Sequence, residues 1–264
     1  MDLQLSGRIA LVTGGGLGIG KAITRELAAE GATVVIAGRR QHILDDTAKE
    51  IEAGTGGRIL PIAADTTSTG SVRAMVAAAA GELGRIDILV NGAAAPSGLV
   101  RSAVDAADPE LLLADLNTKV VGYFRCAQAV APHMKERRFG RIVNIGGLTG
   151  RSSHALSGMR NVAVVHLTKA LSDQLGPDGI TVNCLHPGVV ETEHIHELYE
   201  AEAAKQGTTP QQVQQGFIDR TPIRRVLTPE EIGQAVCFLS SPLAGGITGE
   251  SLGIDGGLTR GIFL

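Results

Sequence analysis

The chain has 264 residues, a formal net charge of -3 at pH 7, 44% hydrophobic residues and 19% charged ones. That length fills one α/β domain with a full core, and the apolar content excludes a disordered chain. Lys and Arg are scattered without a basic stripe, which speaks against a nucleic-acid partner.

The first residues, MDLQLSGRIALVTGG, carry no charged leader followed by a cleavage site, and no apolar run is long enough to span a bilayer. The expected location is therefore the cytoplasm, with no membrane partner. Cys126, Cys184 and Cys237 are far apart in apolar runs. They fit reduced core thiols and neither a disulfide framework nor a zinc site. Short runs rich in Ile, Val, Leu and Ala occupy residues 8–13, 33–37, 58–63, 86–91, 141–145, 180–185 and 251–254. Nearly continuous apolar runs suit strands buried on both faces. Helical patterns fill the gaps, for example residues 20–30, 71–83 and 228–239. The last of these opens with Thr228, Pro229 and Glu231, a capping-box start. The alternation predicts an α/β fold, a Rossmann-type doubly wound parallel sheet of about seven strands with helices on both faces. No linker or repeat divides it, so residues 1–264 are read as a single dinucleotide-binding domain.

Thr13-Gly14-Gly15-Gly16-Leu17-Gly18-Ile19-Gly20 follows the first strand and opens a helix. Gly14 allows the tight turn, Gly18 lets the backbone approach a pyrophosphate, and Gly20 lets helix and strand pack closely. The free N–H groups of the helix start, around Gly16, Leu17 and Ile19, suit phosphates. The second strand ends in Gly38-Arg39-Arg40, where an acidic residue would bind a ribose 2′-hydroxyl and repel a 2′-phosphate. A guanidinium at Arg39 pairs with that phosphate. NADP(H) is therefore preferred, with NAD(H) possible. Two solvated arginines with no such role are the competing reading.

Residues 191–221 break the rhythm. They are polar, contain several Gln, and follow a strand end. Such a position borders the ligand crevice, so a substrate lid at about residues 190–221 is expected, against a plain surface insertion. Glu191, Glu193, His194 and His196 lie in it, near His186. His-x-His matches no recognised helical ligand motif, and a solvated lid without metal is expected.

TGGGLGIG resembles the TGxxxGxG fingerprint of the short-chain dehydrogenase/reductase family. Asn91-Gly92-Ala93-Ala94 resembles its NNAG segment with two changes. His186-Pro187-Gly188 with Thr192 resembles the PG motif and the threonine that meets the nicotinamide amide. Ile247-Thr248-Gly249 and Asp255-Gly256-Gly257 resemble the C-terminal ITG and DGG signature. The matches run along nearly the whole chain in the family's order. The resemblance implies that Asp65 meets the adenine, with Thr66 beside it, and that Asn91, Gly92, Ala93, Pro187, Gly188 and Thr192 line the cofactor.

The family's chemistry rests on a Tyr-x-x-x-Lys pair, a serine and an asparagine. A tyrosine hydroxyl has a pKa of about 10, and a nearby lysine charge lowers it. By the resemblance, Asn117 takes the asparagine position, Gly147 the serine position, Ser157 the tyrosine position and Asn161 the lysine position. No Tyr or Lys occurs anywhere from residue 141 to 168. Serine is a far weaker acid than tyrosine and too short to reach the same point, and no adjacent cation stands at Asn161. Asn161 retains the capacity to hydrogen-bond the nicotinamide ribose.

Substitutes are scarce. His154, one turn before Ser157, titrates near neutrality but reads as a loop histidine. Ser152 and Ser153 read as loop residues, Arg160 as a helix-face arginine, and Lys169 lies three turns beyond Ser157. Tyr123 is expected to pack between helices or subunits and Tyr199 to lie in the lid.

Two functions remain open. One is an NADP(H)-binding oxidoreductase acting on a small carbonyl or hydroxyl substrate through an atypical site, for which ordinary ketone reduction is expected to be slow. The other is a non-redox protein on the same fold, either a lyase, isomerase or cyclase, or a nucleotide-binding pseudoenzyme. Apolar helices around residues 117–134 and 157–175, which the family resemblance pairs between subunits, predict a homo-oligomer, a homotetramer.

Overall fold

Ile9–Thr13 forms the first strand, β1, because its side chains go alternately to two dry faces. Ala10 and Val12 join one core layer and Leu11 joins the other. In β2, Thr33–Gly38, Val34 and Ile36 split from Val35 and Ala37 in the same way. Neither strand has a solvent face, so neither shows polar alternation.

The structure is a computed structural model that describes residues 1–95, 103–151 and 155–261. Ser152, Ser153 and His154 lie outside the described residues. Five more strands follow: β3, Ile59–Ala63; β4, Ile88–Asn91; β5, Gly140–Ile145; β6, Ile180–Pro187; and β7, Ser251–Ile254. All pair in parallel, in the order β3-β2-β1-β4-β5-β6-β7. The fold is thus the doubly wound sheet that the alternating pattern predicts.

Helices α1 (Gly18–Ala29) and α2 (Gln41–Thr55) cover one face of the sheet, and α3 (Thr69–Leu83) packs on the other. A short helix α4, Pro109–Leu116, runs through a π-helical turn at Asn117–Val121 into α5, Gly122–Arg137. Helix α6 is Gly158–Leu175. Ile23 and Leu27 of α1 belong to the first core layer, whereas Met75 of α3, Val130 of α5 and Leu171 of α6 belong to the second.

Strand order reverses between β1 and β4. Ligand crevices of such sheets open outside the strand C-termini at that point. The crevice end is set by Thr13, whose hydroxyl oxygen accepts from the backbone N–H of Gly92 at 3.1 Å and of Ala93 at 3.3 Å.

The stretch expected as an irregular lid is instead two helices, α7 (Glu193–Gln206) and α8 (Pro210–Arg220). Tyr199, Ala203 and Val213 are buried between them, with Phe217 against the Tyr199 ring. Thr209 and Gln212 cap α8 reciprocally. The polar composition hid this small core, because each helix contributes only one or two buried positions. Helix α9, Pro229–Ser240, starts at the expected Thr228–Glu231 capping box and packs on α1. Among the described residues, no helix is long and apolar enough to cross a membrane. Cys126, Cys184 and Cys237 are buried and free.

Candidate active site

The cofactor side of the crevice is built from main chain. Gly14 has φ +74°, and a Cβ there would lie 3.0 Å from the Gly92 backbone. A Cβ on Gly20 would run into the Gly14 carbonyl oxygen. Only glycine fits both places, so the turn folds tightly onto α1. No side chain caps the start of α1 and no acidic residue lies in its first turn. Its free N–H groups therefore remain available to an anion. Leu17 is half-exposed at the crest of the turn, while Ile19 packs into the core. The Gly16 carbonyl is tied down by the Thr47 hydroxyl at 2.8 Å.

Thr192 stands over this turn, with its methyl 3.9 Å from where a Gly18 Cβ would be. Pro187 ends β6, and the Gly188 N–H donates to Ile254. Asn91 is fully buried; its amide donates to Asn144 Oδ1 at 2.9 Å, and its own Oδ1 has no partner. Asp65 accepts from the N–H and hydroxyl of Thr67, which hold its carboxyl below the usual range, with the Arg39 charge adding to this. Thr66 is buried next to it and Arg39 is exposed. These residues lie at or just beyond the C-terminal ends of β1, β2, β3, β4 and β6. The glycine cradle, the free helix N-terminus and the orphaned Asn91 Oδ1 fit a dinucleotide.

The opposite side is built from side chains. Lys119, on the π-helical turn, is 3% exposed. Its ammonium donates to the Gly146 carbonyl and to Asn161 Oδ1, each at 2.8 Å. Burial, then the nearby Arg160 charge, push its pKa down to about 7. Position 161 itself holds no cation, but Lys119 brings one beside Asn161 from another helix. The sequence signal was a lysine heading an apolar stripe. Lys119, Tyr123, Cys126 and Val130 recur at helical spacing and are all buried.

Asn161 Nδ2 donates to the Thr149 hydroxyl oxygen at 2.7 Å. A Cβ on Gly147 would lie 2.8 Å from that same Nδ2, and one on Gly150 would lie 2.9 Å from Asn161 Cβ. The Asn161 amide thus occupies the space that a side chain at position 147 would need. Ser157 is buried at the N-cap of α6, one turn before Asn161. Asn117 begins the π-helical turn, and its carbonyl accepts from Arg125 at 3.4 Å. Lys119, two residues on, reaches Asn161.

Arg160 is not a solvated helix-face residue. It is buried and donates to Asp115 Oδ1 at 2.7 Å and to the Ala95 carbonyl at 3.0 Å. His186 is fully buried, with Nε2 2.7 Å from the Ser251 hydroxyl, and desolvation lowers its pKa to about 4, leaving it neutral. Tyr123 donates to the Ile145 carbonyl within the core, and burial raises its pKa. Tyr199 lies in the α7–α8 core. Lys169 is exposed beside Asp173. At and within α7, His196 pairs with Glu191 and His194 with Glu197.

A family profile described as "Enoyl-(Acyl carrier protein) reductase" matches residues 15–259. The chain is 33% identical to "3-oxoacyl-[acyl-carrier-protein] reductase FabG" of Thermotoga maritima over 97% of this chain and 99% of that one. The structure of L-sorbose reductase from Gluconobacter frateurii complexed with NADPH and L-sorbose superposes with a TM-score of 0.91 at 28% identity, covering 99% and 100% of the two chains. That of NAD+-bound xylitol dehydrogenase superposes with a TM-score of 0.89, also at 28% identity, over 96% and 100%. With the parallel sheet, the glycine turn and these matches along its length, the chain belongs to the short-chain dehydrogenase/reductase family of oxidoreductases.

Proposed function

We propose that the protein is an NADP(H)-dependent oxidoreductase acting on a small carbonyl or hydroxyl substrate through an atypical site. The carrying observation is the Lys119–Asn161 contact, which sets a lysine ammonium against Asn161 although no lysine stands at position 161. Gly14, Gly16, Leu17, Gly18, Ile19 and Gly20 would hold the pyrophosphate. Arg39 would hold a 2′-phosphate, and Asp65 and Thr66 would border the adenine. Asn91, Gly92, Ala93, Asn161, Pro187, Gly188 and Thr192 would border the nicotinamide end. When bound, the nicotinamide supplies the hydride. The chain itself orients the reacting oxygen and excludes water, with the α7–α8 hairpin as lid over the crevice.

The relatives' names point toward ketoacyl thioesters and polyols as substrate classes. Ser157 is a poor acid in place of tyrosine. Ordinary ketones should therefore react slowly, since a positioned general acid contributes about 10²–10⁴-fold. Half-exposed Phe124 on α5, with Met159 and Val162 on α6, supports a homotetramer built through these helices.

The test is NADPH and NADH titration, followed by single-turnover oxidation of the bound cofactor by ketones. Tight NADPH binding with slow but measurable oxidation is expected. The second reading, a non-redox protein, is favoured by the burial of Lys119, which keeps its ammonium from touching a substrate directly. NADPH bound but never oxidised would select it.

A further inference from the structure

The contacts around Asn161 have a direction. A lysine ammonium has three donors and no acceptor, so the Asn161 atom it meets at 2.8 Å must be the carbonyl oxygen. That orients the amide, leaving Nδ2 toward Thr149 Oγ1 at 2.7 Å. An amide nitrogen also only donates, so the Thr149 oxygen accepts, and its own proton is left to donate elsewhere. No described residue takes that proton: the only hydrogen bond to Thr149 Oγ1 is the one from Asn161. Thr149 lies on the short 3-10 turn Leu148–Arg151, which follows β5 at the crevice, and is only partly buried. Two residues before it, Gly147 offers no hydroxyl, and a Cβ there would lie 2.8 Å from the Asn161 amide nitrogen.

We propose that Thr149 is the hydrogen-bond donor to the reacting oxygen of the substrate, polarised through Asn161 by the buried ammonium of Lys119. Thr149 is then a catalytic residue, and Lys119 and Asn161 are positioning residues. This rests on the oxidoreductase reading above and names the group that reading lacks. A row of aligned hydrogen bonds strengthens its terminal donor, and in a dry setting the effect exceeds that in water. Such a donor, aimed at an oxygen that gains negative charge, is the arrangement that favours reduction of a carbonyl.

Lys119 is faced by Arg160 from α6, Asp115 from α4, and Cys184 and His186 from β6. Asp115 favours the charged form, whereas burial and Arg160 disfavour it. Once the ammonium loses its proton near pH 7, the amine no longer has to donate to Asn161, and the direction of the row is lost. Activity should therefore fall as pH rises through that point.

The test uses the full-length protein loaded with NADPH, as wild type and as Thr149→Val, Thr149→Ser and Lys119→Met. Single-turnover oxidation is followed with an acetoacetyl thioester and with L-sorbose. Thr149→Val should slow the step by about 10²-fold, with NADPH affinity and ketone KM unchanged. Thr149→Ser should stay within about threefold of wild type, because it keeps the hydroxyl. Lys119→Met should be slow and lose the fall in rate with rising pH. Separately, ¹⁵N-lysine spectra of the unliganded protein should show one ammonium that titrates below the others and is displaced in Asn161→Leu. A wild type that reacts at a rate indifferent to position 149, or a Lys119 that titrates with the surface lysines, overturns this proposal alone. A wild type that binds NADPH but never oxidises it overturns the oxidoreductase reading and the donor role with it.

Discussion

The two sides of the crevice are held by different parts of the chain. Around the β1–α1 turn the contacts are main chain to main chain: Gly14 against Gly92, Gly20 against Gly14, and the Gly14 N–H donating to Ala37 at 2.7 Å. Around α5 and α6 they are side chain to side chain: Lys119 to Asn161, Asn161 to Thr149, and Arg160 to Asp115. At Gly14 and Gly20 the main chain tolerates no larger residue, because a Cβ would meet backbone atoms. A side-chain site tolerates exchange, because a charge can reach the same point from a different helix. The first kind should therefore fail outright on substitution, and the second should answer to combinations.

Gly20→Ala should have the largest effect. A Cβ there must displace the Gly14 carbonyl, so the turn opens and α1 moves off β1. NADPH binding is expected to be lost and the melting temperature to drop, seen by fluorescence titration and calorimetry. Retained affinity would show that the turn gives more readily than its contacts imply.

Asp115→Ala should come next. It leaves Arg160 buried without its anion, beside Lys119. Removing one partner of a buried pair costs about 3–5 kcal/mol. Urea unfolding measures this, and a loss under 1 kcal/mol would mean that Arg160 turns to water. Asp115→Asn should lose less, because it keeps a carbonyl oxygen for the guanidinium.

The exchange idea is tested by rebuilding the family's set. Gly147→Ser, Ser157→Tyr and Asn161→Lys together would place a second ammonium beside Lys119, which now donates to Asn161 Oδ1 at 2.8 Å. That triple variant should gain little. Adding Lys119→Asn removes the like charge, and the four changes should raise single-turnover ketone reduction by about 10²-fold over wild type, since such groups act as a unit. Full recovery in the triple variant would show that Lys119 does not stand in for a cation at position 161.

The β1–α1 turn was legible in the sequence because the requirement for glycine at Gly14 and Gly20 leaves its trace in the residue letters themselves. The strands were legible because both faces of each are dry, and their predicted ends fall within two residues of those observed. The catalytic side was only half legible. The absence of Tyr and Lys between residues 141 and 168 is a fact of the sequence, but the arrival of Lys119 depends on where α5 packs. The π-helical turn at Asn117–Val121 adds to the difficulty. It inserts a residue into the helical register, so counting from Asn117 does not tell which side chain faces the crevice. Arg160 was misplaced for a related reason, because its partner Asp115 lies 45 positions away. Helices α7 and α8 were missed because their fully buried core is as small as Tyr199, Ala203 and Val213.

Lys119 also makes stability depend on pH. Its folded pKa is depressed to about 7, whereas a lysine in the unfolded chain holds its proton to about 10.4. Between these values the unfolded state binds the extra proton, so stability rises with pH, by up to about 1.4 kcal/mol per unit. Lys119→Met should flatten that part of the urea-denaturation profile. His186, depressed to about 4, acts at the other end. Its contribution is lost as pH falls from about 6.5, because unfolding then takes up a proton.

The smallest expected effect is at Arg39, where the cofactor side departs from its own main-chain rule. Gly38 ends β2 without a carboxylate, and Arg39 follows it exposed to solvent. Asp65, just past the end of the neighbouring strand β3, feels the Arg39 charge, though less than its hydrogen bonds from Thr67. An exposed ion pair is worth up to about 1 kcal/mol, which is roughly fivefold in affinity. Arg39→Ala should therefore weaken NADPH by about fivefold and leave NADH unchanged, with the difference shrinking as salt is added. Calorimetry with both cofactors reads this directly. Equal losses for NADPH and NADH would place Arg39 on the adenosine, and no loss for either would leave the backbone cradle as the only determinant at this end.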